Sequence, residues 1–197
     1  LGDALSTWFE ARACKNSGAR TMARGNVSNT GLMMARLCYD LLMEKGRDAL
    51  TAVERHEVTP ALEDVVEATI YLSGLGFENG GLAAAHAVND GFAQEPQAHG
   101  MYHGEKVAFG TLVQLVLEKA PQEELEQVLA FLRDTGLPLT LAQLGVKEIV
   151  PETLKKVAEA AVVPTQSTKN LRADITAQEV YDAILEADRI GRDYLAH

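Results

Sequence analysis

Residues Glu105 to Lys119 read EKVAFGTLVQLVLEK, and this stretch decides the fold class. Its interior, Val107 to Leu117, is apolar on nearly every side. A helix apolar all round is a helix buried among other elements, not one lying on a surface. The sequence on either side supplies helices to bury it. Upstream, Leu5 to Cys14 makes a short amphipathic stretch around Trp8, the only tryptophan. Ser17 to Asn29, rich in Gly, Asn and Ser, reads as a loop. Asn29 or Thr30 caps a helix through Met43, with Leu32, Ala35, Cys38, Leu41 and Leu42 at three- and four-residue spacing. Thr59-Pro60 is an N-cap with proline at the first helical position. Leu62, Val65, Val66, Thr69 and Ile70 are the expected inner face of that helix. Gly80-Gly81 opens a helix from Leu82 to about Phe92, and Asp90 to Tyr102 reads as a loop broken by Pro96.

Downstream, Leu125, Val128, Leu129 and Leu132 form an i, i+3, i+4, i+7 stripe, stopped by Gly136 and Pro138. Glu152 to Val162 is amphipathic. Thr176 and Glu179 fit a capping box that opens the last helix, with Val180, Ile184, Ala187 and Tyr194 continuing it. Ile149-Val150 and Val162-Val163 are too short to pair into a sheet, and no repeat or low-complexity tract is present. The expectation is an all-α chain of about eight or nine helices around one core.

Composition narrows the function classes. The chain has 197 residues, 47% of them hydrophobic, and a formal charge of −10. This is a folding composition, and so acidic a chain argues against a nucleic-acid partner, which needs clustered cations. No apolar run approaches the roughly 20 residues of a membrane span, so no membrane partner is expected. The start, Leu1-Gly2-Asp3-Ala4, lacks the basic patch and apolar core of a signal peptide. Cys14 and Cys38 read as small buried hydrophobes, not a disulfide or a thiolate zinc site. Few cysteines and no signal make the cytoplasm the default location. Gly74-Leu75-Gly76-Phe77-Glu78-Asn79 starts like a dinucleotide fingerprint but lacks its third glycine and follows a helix where the fingerprint needs a strand.

Three of the five histidines, His86, His99 and His103, fall within 18 positions of one another. His86 follows Ala83-Ala84-Ala85, small neighbours that leave room beside an imidazole. His103 stands just ahead of the buried helix. Imidazole is the commonest metal ligand. Spacing alone leaves two readings open for each: His86 as a ligand or a satisfied core histidine, His103 as a ligand or a helix-capping residue. His99 is a pocket candidate or an exposed loop residue. His56, beside Arg55 and Glu57, reads as surface, and His197 is terminal. Glu105 suits the dipole at the start of the buried helix. Gly80-Gly81 more naturally permits close helix approach than substrate contact.

Three stretches, in order, carry a resemblance: Gly2-Asp3-Ala4-Leu5-Ser6-Thr7-Trp8-Phe9-Glu10-Ala11-Arg12, then Gly80-Gly81-Leu82-Ala83-Ala84-Ala85-His86-Ala87-Val88, then His103-Gly104-Glu105-Lys106-Val107-Ala108-Phe109-Gly110-Thr111-Leu112. They resemble the glycerol dehydrogenases of the metal-dependent, so-called iron-containing alcohol dehydrogenase superfamily, and the likeness extends through Gly136-Leu137-Pro138 to the last helix. That family combines an N-terminal α/β domain, which binds the nicotinamide cofactor, with a C-terminal helical domain of the dehydroquinate synthase-like fold. The resemblance implies that residues 1–197 are the helical metal-binding domain, and that the dinucleotide-binding domain is absent from this chain.

By the same resemblance Asp3, His86 and His103 are the metal ligands. Two imidazoles and a carboxylate leave Zn2+ a position for substrate, the pattern of catalytic zinc. Iron members of the superfamily place a further histidine four residues after the aspartate, where this chain has Thr7. The implied reaction is zinc-assisted oxidation of glycerol to dihydroxyacetone with NAD, in a homo-oligomer. The alternative is a truncated, non-catalytic helical oligomerisation or interaction module. Two positions depart from the family pattern. His-Ala-x-His-Asn-Gly reads here His86-Ala87-Val88-Asn89-Asp90-Gly91, and Thr-Ile-His-Asn reads Ser167-Thr168-Lys169-Asn170. Neither removes an implied ligand, but both touch the lining of the pocket.

Overall fold

The computed structural model describes residues 1–197 and contains helices and turns without a sheet. Nine α-helices follow in order: α1 (Gly2–Ser17), α2 (Asn29–Glu54), α3 (Pro60–Glu67), α4 (Ser73–Gly80), α5 (Ala84–Gly91), α6 (His103–Glu118), α7 (Gln122–Asp134), α8 (Pro151–Ala161) and α9 (Ala177–Leu195). A π-helical turn, Ala68–Leu72, joins α3 to α4. The 3-10 turns are Phe92–Gln94, Pro96–Ala98 and Ser167–Asn170. Extended pairing is limited to one isolated bridge, Arg20 with Asn26. The all-α expectation is met. No helix is long and apolar enough to cross a membrane. The helices divide into two compact units, Leu1–Leu82 and Ala83–His197.

In the first unit α1 contributes Leu5, Phe9, Ala11 and Cys14, all fully buried. Phe9 meets Tyr39 of α2 edge to face, with centroids 5.5 Å apart. The cap of α2 is Ser28, whose Oγ accepts from the Gly31 amide at 2.9 Å, so neither Asn29 nor Thr30 serves. The helix also runs eleven residues beyond the expected end at Met43, to Glu54. Gly46 costs about 1 kcal/mol in helix propensity against alanine. The buried stripe nonetheless continues through Leu42, Gly46, Ala49 and Ala52 at helical spacing, and packing overrides propensity.

Thr59 caps α3 as expected, its Oγ1 accepting from Leu62 N at 3.3 Å. The expected inner face is only partly right. Val65, Ala68 and Leu72 are buried, while Val66 is 44% and Ile70 73% exposed. Val65, Ala68 and Leu72 form an i, i+3, i+7 stripe, and at about 100° per residue Val66 and Ile70 fall outside it. Helix α4 ends on Gly81, at φ +90°, and α5 starts at Ala84, two residues later than expected. A Cβ on Gly80 would stand 2.5 Å from the Ala11 Cβ, so the glycine lets α4 lie directly against α1.

In the second unit α6 is the centre. Nine consecutive residues, Val107 to Leu115, are buried, which confirms the reading of its all-round apolar sequence. Each large side chain among them contributes about 1.5–3 kcal/mol by leaving water. Phe109 meets Phe92 edge to face at 6.0 Å. The α7 stripe Leu125, Val128, Leu129 and Leu132 is buried, and Gly136, at φ +71°, follows the end of the helix. Thr176 and Glu179 form the expected capping box: Thr176 Oγ1 accepts from Glu179 N at 3.2 Å, and Glu179 Oε2 accepts from Thr176 N at 2.8 Å. Beneath α9, Asp188 is only 3% exposed and accepts from the Leu141 amide at 2.8 Å.

Candidate metal centre

The second unit brings His86 and His103 together. They are 17 positions apart in sequence, yet their ring centroids lie 5.4 Å apart at 50°. Their ring nitrogens come within 4.8 Å of one another. His86 is half-buried and His103 exposed.

Local chemistry explains why the two meet. The first turn of α5 leaves backbone amides without helical acceptors. One of them, Ala85 N, donates to Gln114 Oε1 on α6 at 3.0 Å. Gln114 is wholly buried, and its Nε2 is held in turn by Glu118 Oε1 at 2.8 Å. At the same level α6 presents Gly110, whose absent Cβ would lie 2.4 Å from the Ala85 carbonyl oxygen. From the other side Ser167 Oγ donates to the Ala83 carbonyl at 2.6 Å. Ala83, Ala84, Ala85 and Ala87 are all 0% exposed. The backbone that carries His86 is therefore fixed from two directions by small residues and buried hydrogen bonds.

His103 is the first residue of α6. Of the two readings open for it, the capping role belongs instead to Glu105, whose Oε2 accepts from Tyr102 N at 2.7 Å. Glu105 also places its charge at the positive end of the helix. The imidazole of His103 lies beside that of His86.

Asp3 belongs to the first unit, in the first turn of α1, and is half-buried. Its backbone carbonyl accepts from Ser6 Oγ at 2.8 Å. Thr7, one turn on, is 2% exposed and shares a hydrogen bond of 2.9 Å with Ser73 Oγ. That hydroxyl is engaged within its own unit. His99 is exposed, and its Nε2 is bonded to the Ala93 carbonyl at 3.0 Å, a local turn contact. His56 is exposed with φ +56°, and His197 is exposed at the terminus.

The thiols are not candidate metal ligands. Burial pushes Cys14 and Cys38 up to about 12, and each donates to a carbonyl, Leu82 O at 3.2 Å and Ala68 O at 3.3 Å. A protonated, buried thiol does not ligate. The accessible donors are then imidazole nitrogen and carboxylate oxygen, a set that suits zinc. Two nitrogens each about 2.0–2.1 Å from one ion stand at most about 4.2 Å apart, so the observed approach of within 4.8 Å needs only a small side-chain adjustment to serve one ion.

Two residues that matter here escape sequence reasoning. Gln114 left a trace, as the one amide inside the apolar run of α6. Asn89, three positions after His86, showed only as a departure from the family pattern, with nothing to mark it as a buried acceptor. It is 6% exposed and its Oδ1 has no hydrogen-bond partner.

No protein-family model matches the chain. A glycerol dehydrogenase of Escherichia coli O6:H1 is 56% identical over 195 residues, which are 99% of this chain and 53% of that protein. The crystal structure of glycerol dehydrogenase from Schizosaccharomyces pombe superposes with a TM-score of 0.95 at 40% identity, over 98% of this chain and 49% of that one. A structure of 1,3-propanediol oxidoreductase matches at TM-score 0.72 and 19% identity over 93% of this chain and 49% of that one, a likeness of fold alone. The chain spans about half the length of the curated relatives it matches. In sequence and in fold it belongs to the iron-containing alcohol dehydrogenase superfamily, as a C-terminal helical domain of its glycerol dehydrogenase branch.

Proposed function

We propose that this chain is the metal-binding half of a glycerol dehydrogenase, with Asp3, His86 and His103 as ligands to Zn2+. The observation that carries the reading is the His86–His103 pair, two imidazoles from separate helices with nitrogens within 4.8 Å. Asp3 joins the set through the family resemblance, and it brings the carboxylate that two neutral imidazoles lack. When bound, zinc supplies Lewis-acid polarisation of the substrate hydroxyl. In the overall reaction the secondary carbinol of glycerol becomes the ketone of dihydroxyacetone. The C–H electron pair goes to the nicotinamide of NAD, and the hydroxyl proton goes to solvent. This chain's part is to hold two imidazoles on a backbone braced by Gln114, Gly110 and Ser167, so that the ligand geometry needs little rearrangement. Dinucleotide binding falls to an N-terminal α/β domain. Cytoplasmic location and assembly as a homo-oligomer belong to the same reading and rest on the resemblance.

The test is zinc binding by the chain and its variants, followed by competition with a chelator. The parent takes up one zinc per chain. His86→Ala and His103→Ala each lower the affinity by at least about 100-fold, and His56→Ala does not. If His86→Ala keeps its zinc at parental affinity, the assignment fails. The full-length enzyme oxidises glycerol with NAD, and the same substitutions abolish this. Residues 1–197 alone show no turnover.

A further inference from the structure

We infer that Asn89 is a specificity-determining residue, and that its side-chain carbonyl accepts a hydrogen bond from a hydroxyl of the polyol other than the one being oxidised. The inference rests on the reading of His86 and His103 as the reaction centre. It starts from a buried acceptor that the chain itself leaves unused. Asn89 is 94% buried by exposure (6% exposed), and its Oδ1 has no partner. A buried carbonyl without a hydrogen bond is uncommon and costly, so it calls for a partner from outside the chain.

The amide orientation is fixed by chemistry. Asn89 Nδ2 donates to Asp90 Oδ1 at 3.1 Å. The other oxygen of Asp90, Oδ2, accepts from Gln166 Nε2 at 3.1 Å. A carboxylate accepts and does not donate, so the NH2 end of Asn89 must face Asp90 and the C=O end must face away. A flipped amide would set two acceptors against each other. Gln166 and Asp90 together hold the amide the way round that leaves its oxygen unpaired.

Position on α5 supplies the direction. At about 100° per residue, Asn89 lies about 40° round the helix from Ala85 and about 60° from His86, between the two. Ala85 is the residue whose carbonyl abuts Gly110 of α6, and His86 is the residue paired with His103 at the start of α6. Asn89 therefore lies on the strip of α5 between its contact with α6 and its histidine. An acceptor there suits a ligand with more than one hydroxyl: one at the reaction centre, another on Asn89. This narrows the substrate class to vicinal polyols over simple alcohols. A site built to bond a hydroxyl discriminates strongly against an analogue that lacks it, because the buried group is then left unpaired.

The test uses the zinc-loaded full-length enzyme with Asn89→Leu and Asn89→Ala, measuring zinc content, glycerol KM and kcat, and the same constants for 2-propanol. The expected result is unchanged zinc content and a glycerol KM raised by about tenfold or more. The 2-propanol constants stay within about twofold of the parent. If either variant folds and its glycerol and 2-propanol constants change by the same factor, or neither changes, Oδ1 is merely hydrated or structural and the inference is overturned. Loss of zinc in both variants also overturns it, since Asn89 would then support the metal. Failure of the metal reading is distinguishable: the parent enzyme itself would hold no zinc. Direct titration of glycerol into parent and Asn89→Leu enzyme supplies a readout independent of turnover, and equal dissociation constants would again refute the role.

Discussion

Gly110→Ala is the sharpest perturbation the packing offers. Two effects of opposite sign meet at this position. In a helix interior alanine is favoured over glycine by about 0.8–1.0 kcal/mol. Against this, the new Cβ would stand 2.4 Å from the Ala85 carbonyl oxygen and 3.1 Å from its carbon, both backbone atoms that no rotamer can move. Ordinary contact needs about 1 Å more, so α5 and α6 must separate by roughly that amount. Overpacking of this kind costs about 1–3 kcal/mol. The Ala85–Gln114 bond, now 3.0 Å, stretches past hydrogen-bond range and removes about 0.5–1.5 kcal/mol more. The balance is a loss of about 1–3 kcal/mol, read as a lowered urea midpoint at unchanged m-value. Gly74→Ala is the internal control: it is also helical, in α4, and nothing lies within 4 Å of its Cβ position, so propensity acts alone and the variant gains about 0.5–1 kcal/mol. The displacement also moves His86 relative to His103, and zinc affinity should fall with stability. Wild-type stability and zinc affinity in Gly110→Ala would refute both the close-packing argument and the claim that it positions the histidine.

Three further outcomes follow from particular contacts. Asp188→Ala leaves the buried Leu141 amide without its acceptor and should cost about 1–3 kcal/mol in chemical denaturation, while Asp188→Asn, which keeps an oxygen, should cost less. Cys14 and Cys38, pushed up to about 12 by burial, should resist alkylation at pH 8 in the folded chain and react at once in urea. Their sign in stability is negative at high pH: above the ordinary thiol value of 9.0 the unfolded chain loses protons that the folded one keeps, so stability falls between pH 9 and about 12. Glu179 is held at about 2, first by the Thr176 amide and then by Arg172 and the Thr176 hydroxyl. A depressed carboxyl stabilises above its ordinary 4.5, and its contribution disappears as pH falls toward 2. Thr176→Ala should therefore lower stability at neutral pH, with the deficit shrinking in acid, as followed by thermal melts.

Periodicity made most of the helices legible. The all-round apolar run of α6 named the centre of the second unit, because a chain can satisfy so much apolar surface only by surrounding it. Thr59-Pro60 and Thr176 with Glu179 marked helix starts correctly, since capping is local chemistry between residues three apart. The misses share a cause. The end of α2 and the exposure of Val66 and Ile70 depend on what packs against each side of a helix, and neighbours far along the chain decide whether a mid-helix glycine or an apolar side chain is covered. At the site, the sequence by itself named Asp3, His86 and His103, and did so through family likeness; spacing left each histidine with a bland reading. Only the tertiary structure showed that His86 and His103 meet, that Glu105 takes the capping role, that Gln114 anchors α5, and that Asn89 is left with an empty buried acceptor. Caps and stripes are written in neighbours three and four apart, whereas a pair of rings from two helices and an unanswered carbonyl exist only once distant stretches have been folded against each other.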